Sequence, residues 1–304
     1  QQVAMEGNYS LATAGELRPL WSEDDVPAEI TAVDASLYTQ AAPIADSLYE
    51  VVGVHSQRGV DILTVRLNPV QYDEGSGSLA YFSSMQLSVD LAPEQADGSS
   101  HTIRYRPDRY RPLSEQVDNP SALASYEQGG VSGQDDVHTY GICDPSESFE
   151  YVIITDSTLA SETGDYSLQD FKAHKQSKGF TTTVVTIEDI YANYSGTDNA
   201  ETMRNFIIDA YNNWETDFVL LGGDTNILPY RGLYVYGSGY TTEAPSDMYF
   251  QCLDGSYNSD GDSRWGETTD GEGGGDVDLR AEVLIGRAAA GNASEMSNWV
   301  YKTI

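Results

Sequence analysis

Apolar and polar positions follow two different periods in this chain. Between residues 49 and 91 the period is two. Val60 to Leu67 sets Leu63, Val65 and Leu67 on one face, and Met85, Leu87, Val89 and Leu91 alternate with Gln86, Ser88 and Asp90. Such alternation predicts half-buried strands. Tyr49 to Val54 is a further β-rich run, and Ser56 to Gly59 and Gly75-Ser76-Gly77 read as the turns between strands. Short strands, close turns and no long helical pattern predict an antiparallel sandwich or barrel.

From residue 151 onward the pattern changes. Tyr151 to Thr155, YVIIT, is apolar at consecutive positions, as in a parallel strand covered on both faces. Leu168 to Lys178 has helical spacing and stops at Gly179, and Phe180 to Ile187 is the next strand. Asp198-x-x-Glu201 is a capping-box arrangement. It opens a helix whose apolar face is Met203, Phe206, Ile207, Ala210, Tyr211 and Trp214. FVLLGGD, Phe218 to Asp224, is a buried strand followed by two glycines and a carboxylate, and Val283 to Ile285 is a last short strand. A final helix starts at Asn292-x-x-Glu295 and has no stop signal before Ile304.

Strand, helix, strand, helix, strand predicts an α/β fold with a parallel, doubly wound sheet. The expected organisation is therefore a β-rich domain over residues 1–125, a linker over 126–149 that holds Gly129-Gly130 and Gly133, and an α/β domain over 150–304. Ligands of open α/β sheets gather at the C-terminal ends of the strands. That makes Asp224 part of the candidate rim.

Charge restricts the partners. Against 16 Lys and Arg stand 48 Asp and Glu, a formal net charge of -32, and only Lys172, Lys175, Lys178 and Lys302 are lysines. So negative a field repels nucleic acid and anionic membranes and favours cations and basic peptides. The sequence has no apolar run long enough to span a bilayer and no signal-peptide pattern. A Lys-poor acidic surface fits a secreted protein, and a start at Gln1 is expected to reflect removal of an upstream segment. Cys143 and Cys252 match no metal-binding spacing. Two buried thiols, one disulfide or a catalytic thiol are the alternatives, and no histidine lies in a recognisable partner motif.

Two segments carry candidate chemistry. Between Asp254 and Glu282 there are nine acids and two arginines. Within that stretch Asp254, Asn258, Asp260 and Asp262 put four oxygen-bearing side chains into nine residues, and Glu267 adds a bidentate carboxylate. Hard oxygen ligands at this density suit Ca²⁺, in a structural role, and the alternative is a solvated acidic loop. The loop is not an EF-hand, because Ser263 and Thr269 stand where glycine and glutamate are required. The second segment is HTIRYRPDRYR, His101 to Arg111, with Arg104, Arg106, Arg109 and Arg111. It reads either as an edge strand answering an acidic surface or as a basic segment docked on an acidic site of the same protein.

YVIIT, FKAHKQSKGFTTTVVTIEDI, FVLLGGDTNILP, SDMYFQCLDG, VLIGRAAA and WVYKTI, in this order, resemble the first half of the catalytic domain of gingipain-like cysteine peptidases. VRLNPVQYDEGSGSLAYF is similar to the pro-domain that precedes it. The resemblance implies a caspase-like three-layer α/β sheet, incomplete in this chain, a secreted proenzyme, structural calcium and a peptide or protein substrate. It also implies a catalytic His in Gly-His-Gly and a nucleophile in Ala-Cys. Neither motif occurs here. His55, His101, His138 and His174 lie elsewhere, so no catalytic residue is transferred. The expected partner is then the C-terminal remainder of the same peptidase, on this chain or on a second one. A non-catalytic, calcium-binding surface or adhesion module on the same scaffold is the alternative.

Overall fold

The structure, a computed structural model, describes residues 2–5, 47–73, 78–89, 103, 105–107, 112–128, 141–237, 240–270, 276–277 and 279–304. The chain divides into two compact units. One comprises Gln1–Val52 and Leu63–Gln95, the other Gly53–Ile62 and Ala96–Ile304.

The first unit is antiparallel. Strands β1 (Gln2–Met5), β4 (Val70–Asp73) and β5 (Ser78–Phe82) form a three-stranded sheet with β5 in the middle. A separate two-stranded ribbon pairs β2 (Tyr49–Gln57) with β3 (Val60–Leu67), and the far end of this ribbon, Gly53–Ile62, belongs to the second unit. The small sheets replace the expected sandwich or barrel among the described residues. Leu63 and Leu67, expected on a buried face, are exposed, and residues 84–89, expected to alternate as a strand, carry no strand. Alternation marks a sequence able to be half-buried, and burial still requires a covering layer. The Gly75–Gly77 turn and Leu91 lie outside the described residues.

In the second unit, β6 (Tyr151–Thr155), β7 (Thr182–Thr186), β8 (Phe218–Gly222) and β11 (Leu284–Ala288) form one parallel sheet in the order β11-β8-β6-β7. Alternate residues of its central strands enter two cores. Val152, Ile154, Val219 and Leu221 pack with Met203, Phe206, Ile207 and Tyr211 of α5 (Asn199–Trp214). Ile153 and Leu220 pack on the opposite side with Leu168 and Phe171 of α3 (Leu168–Ser177) and Met296 and Val300 of α7 (Ala293–Thr303). Two covered faces explain the unbroken apolar runs of β6 and β8.

Local signals place the helices. Ser167 and Asp170 close a reciprocal capping box on α3, and Asn292 accepts from the Glu295 amide at the start of α7. Asp198 accepts from the Glu201 amide at 2.9 Å, while the Glu201 side chain takes the Thr197 amide rather than that of Asp198. Three short helices complete the turns after strands and before the acidic loop: α2 (Ser157–Ala160), α4 (Ile187–Asn193) and α6 (Met248–Gln251). α1 (Leu123–Gln128) precedes the sheet. An antiparallel hairpin, β9 (Arg231–Gly237) with β10 (Tyr240–Ser246), follows the β8 turn.

Candidate functional site

Counted along the sheet, the first strand (β6) and the third (β8) are neighbours, so the direction of winding reverses between them. The crevice of such a sheet opens outside the C-terminal ends of those two strands. Here that edge holds Asp156 and Ser157 after β6, Glu188 after β7, Asp224 after β8, and Gly291 and Glu295 after β11.

The rim acids serve their own backbone. Asp156 caps α2 through the Leu159 amide at 2.8 Å, and Glu188 accepts the Ser157 amide and hydroxyl. Asp224 takes the Asn226 amide at 2.9 Å, and its own amide donates to the Ala290 carbonyl. Glu295 accepts the Gly291 amide at 2.8 Å. Burial works to raise the Glu188 carboxyl, but the hydrogen bonds from its own amide and from Ser157 outweigh it and hold it below its usual range. Asp224 is thus a turn-forming residue that joins the exit of β8 to the chain after β11.

Arg287 of β11 fixes the same corner. Its Nε and Nη2 make a two-pronged contact with the Asp247 carboxylate at 2.8 and 2.7 Å, and its guanidinium also donates to the carbonyls of Gly223, Leu228 and Pro229. Only a planar five-donor group can meet carbonyls of one turn and a carboxylate together. Arg231 plays a similar part on the α5 side. It grips Asp198 with two hydrogen bonds and lies over the rings of Tyr249 and Trp265, 4.5 and 4.2 Å from their centroids. Arg204, inside α5, ties the carbonyls of Tyr249, Cys252 and Asp254. The sequence assigned no role to any of the three; the available signals were an arginine set within the apolar face of α5 and one following the glycine of VLIGR.

In the acidic segment, Asp260, Asp262 and Glu267 come together, one carboxylate oxygen of each lying within 4.8 Å of the others. The other carboxylate contacts shape the loop: Asp260 accepts from the Asp262 amide, Asp262 from the Arg264 amide, and Glu267 meets Arg264 at 3.3 Å. Asn258 donates to the Asp262 carbonyl at 2.9 Å, and its buried Oδ1 has no hydrogen-bond partner among the described residues. Asp270, fully buried, holds the Glu267 amide through one oxygen. Asp254 is not brought into the triad; it is buried at the start of the loop, where Gly255, at φ +69, could carry no Cβ because the Asp276 carbonyl oxygen would lie 2.3 Å away. Glu272 and Asp278 lie outside the described residues. Three converging carboxylates are a hard-oxygen donor set, and these residues fit Ca²⁺.

Both cysteines are free and fully buried. Burial, with the Asp209 carboxylate close by, pushes the Cys143 thiol far above its usual range, and the Tyr194 hydroxyl stands 3.6 Å from its Sγ. A thiol held protonated is no nucleophile. Arg106 is the one arginine of the HTIRYRPDRYR segment that is described. It pairs with Asp217, donates to the carbonyls of Tyr211 and Thr216, and lies over the Tyr211 ring. Arg104, Arg109, Arg111 and His101 lie outside the described residues, as does His138.

The chain thus carries a parallel α/β sheet with helices on both faces and acidic residues along its C-terminal rim. It belongs to peptidase family C25, whose model matches residues 144–304, just over half of the chain. No curated protein matches it. Among solved structures it is similar to one described as a protease (16% identity, TM-score 0.33, covering 50% of this chain and 26% of that one). It is also similar to the dimeric latent form of PorU from Porphyromonas gingivalis (19% identity, TM-score 0.35, covering 52% of this chain and 15% of that one). The chain thus spans about a quarter or less of the length of either.

Proposed function

We propose that these residues are the N-terminal portion of a secreted gingipain-like cysteine endopeptidase made as a proenzyme, with the catalytic Cys and His on strands outside residues 1–304. The carrying observation is the family C25 match over the whole parallel sheet, together with the open edge of that sheet at β11, where Leu284 is 55% exposed. An edge strand presents a row of unpaired backbone N–H and C=O groups, where a further strand of the same sheet would pair. In this reading the rim supports the site from one side. The thiolate attacks a peptide carbonyl and forms an acyl-enzyme; the His gives its proton to the leaving amine, and water then releases the acyl group.

Calcium would be held by Asp260, Asp262 and Glu267, with Asn258 beside them, and would neutralise repulsion between the three carboxylates. Its role would be to fix the shape of the loop. The acidic, Lys-poor composition supports an extracellular address.

Peptide hydrolysis by the full-length protein tests the activity. The expected result is turnover that thiol alkylation abolishes and that Cys143→Ser and Cys252→Ser both retain. A full-length protein that cleaves no peptide while still gaining stability from calcium would favour the non-catalytic binding module instead. For the metal, raising calcium to a hundred times its Kd should add about 2.7 kcal/mol of stability. Asp260→Asn with Asp262→Asn should remove that gain; a melting temperature equally calcium-dependent in the double variant would sink the assignment.

A further inference from the structure

Three Asn-x-Ser triplets with a middle residue other than proline occur in the chain: Asn8-Tyr9-Ser10, Asn193-Tyr194-Ser195 and Asn292-Ala293-Ser294. Such a triplet is the acceptor sequence for N-linked glycans, and it makes a site only where the backbone presents it at the surface. The first lies outside the described residues. The other two differ in backbone conformation, and that difference selects between them.

Asn193 is the last residue of α4, and Tyr194 after it is extended, at φ -123 and ψ 159. Extended backbone returns side chains i and i+2 to one face. Asn193 and Ser195 are accordingly both exposed, with the half-buried Tyr194 between them. The Tyr194 ring packs edge-on against Phe206, 5.6 Å between centroids. Its hydroxyl accepts the Ile142 amide at 3.1 Å and donates to the Asp209 carboxylate. The tyrosine thus pins the middle of the triplet from beneath while its two outer side chains meet solvent. Asn193 Nδ2 donates to the Asp189 carbonyl at 2.8 Å, which takes one of its two N–H groups and leaves the other for substitution.

The Asn292 triplet is built differently. Asn292 caps α7 through the Glu295 amide at 3.1 Å, and Ala293 and Ser294 already belong to the helix. Helical backbone does not bring residues i and i+2 to one face, so amide and hydroxyl diverge there. Position favours Asn193 as well. α4 follows β7, which lies at the end of the sheet opposite β11, so a bulky group on Asn193 stands clear of the β11 edge.

We infer that Asn193 is an N-glycosylation site. The inference rests on the extracellular address proposed above, because N-glycans are added to chains on their way out of the cell. The donor is a glycan linked through phosphate or diphosphate to a polyprenyl lipid. Asn193 Nδ2 attacks C1 of the first sugar: the C1–N bond forms as the C1–O bond to phosphate breaks, the lipid phosphate leaves, and the amide proton passes to a base of the transferase. Nothing is oxidised or reduced. The glycan covers residues 194–198, the connection between α4 and α5, in which Ser195 to Asp198 are exposed.

The test isolates the full-length protein from the organism that makes it, from medium and from cells separately, and reads tryptic peptides by mass spectrometry. Cleavage after Lys178 and Arg204 releases residues 179–204, and cleavage after Arg287 and Lys302 releases residues 288–302. Protein from the medium is expected to carry a glycan on the first peptide and none on the second. Ser195→Ala, which leaves Asn193 and its hydrogen bond to Asp189 in place, should abolish the modification completely, as should Asn193→Gln. Ser195→Thr should retain it. Protein in the medium with an unmodified 179–204 peptide, or a modification that survives Ser195→Ala, would overturn the inference and leave the extracellular address standing. Protein found only inside cells would overturn the address, and the inference with it.

Discussion

At the scale of single residues, arginines hold this molecule together. Arg287 is 13% exposed on its side chain and makes five hydrogen bonds that fasten the β8 turn to Asp247. Arg287→Ala strands a carboxylate and three carbonyls, and should cost about 3 kcal/mol, within the range for truncating one partner of a buried pair. Arg287→Lys keeps the charge but not the fork, and should recover only a minor part of that loss; urea unfolding of the two variants measures both. Asp198 gives a pH signature. Burial works to raise its carboxyl, but the Arg231 guanidinium and the amides at the start of α5 outweigh this and hold it low. Its ionised form is therefore favoured by folding: the contribution is complete above the unfolded carboxylate pKa of about 3.9 and is lost as pH falls through the lower folded value. Since Asp198 is 40% exposed, the effect is modest. Asp198→Asn should flatten the acid limb of the stability curve, and an unchanged limb would show that other carboxylates carry it. These arginines were hard to see in the sequence because their value comes from carbonyls brought together by the fold, which no spacing records.

At the scale of elements, what was legible depended on whether an element carries its own reasons. α3, α5 and α7 were readable because Gly179 stops the first, Asp198 and Asn292 open the other two, and their apolar positions repeat with the helix. β6 and β8 were readable because two covering layers demand unbroken apolar runs. The predicted strand over Phe180–Ile187 shrank to Thr182–Thr186, since Ile187 already starts α4 behind the Thr186 cap. The β9–β10 hairpin went unread although LYVYGSGYTTE carries its signal, two β-rich runs about a glycine pair. The acidic loop was only half legible: its composition pointed to a cation, while the gathering of Asp260, Asp262 and Glu267 without Asp254 depends on turns at Gly255, Tyr257 and Gly261, all at positive φ.

At the scale of the whole molecule, the proposed reading sets these residues within a larger peptidase. Among the described residues the sheet has four strands with β11 at one edge, and a rim whose acids are committed to local backbone. Its two thiols are sealed in the core. The family match therefore comes without the Gly-His-Gly and Ala-Cys motifs that the resemblance implies, neither of which occurs in residues 1–304. The most direct measurement is to label the full-length protein with a peptidyl electrophile that captures active-site thiols and to locate the modified cysteine by mass spectrometry. The account predicts one modified cysteine, outside residues 1–304, whose replacement abolishes turnover. Modification of Cys143 or Cys252 with matching loss of activity would contradict it.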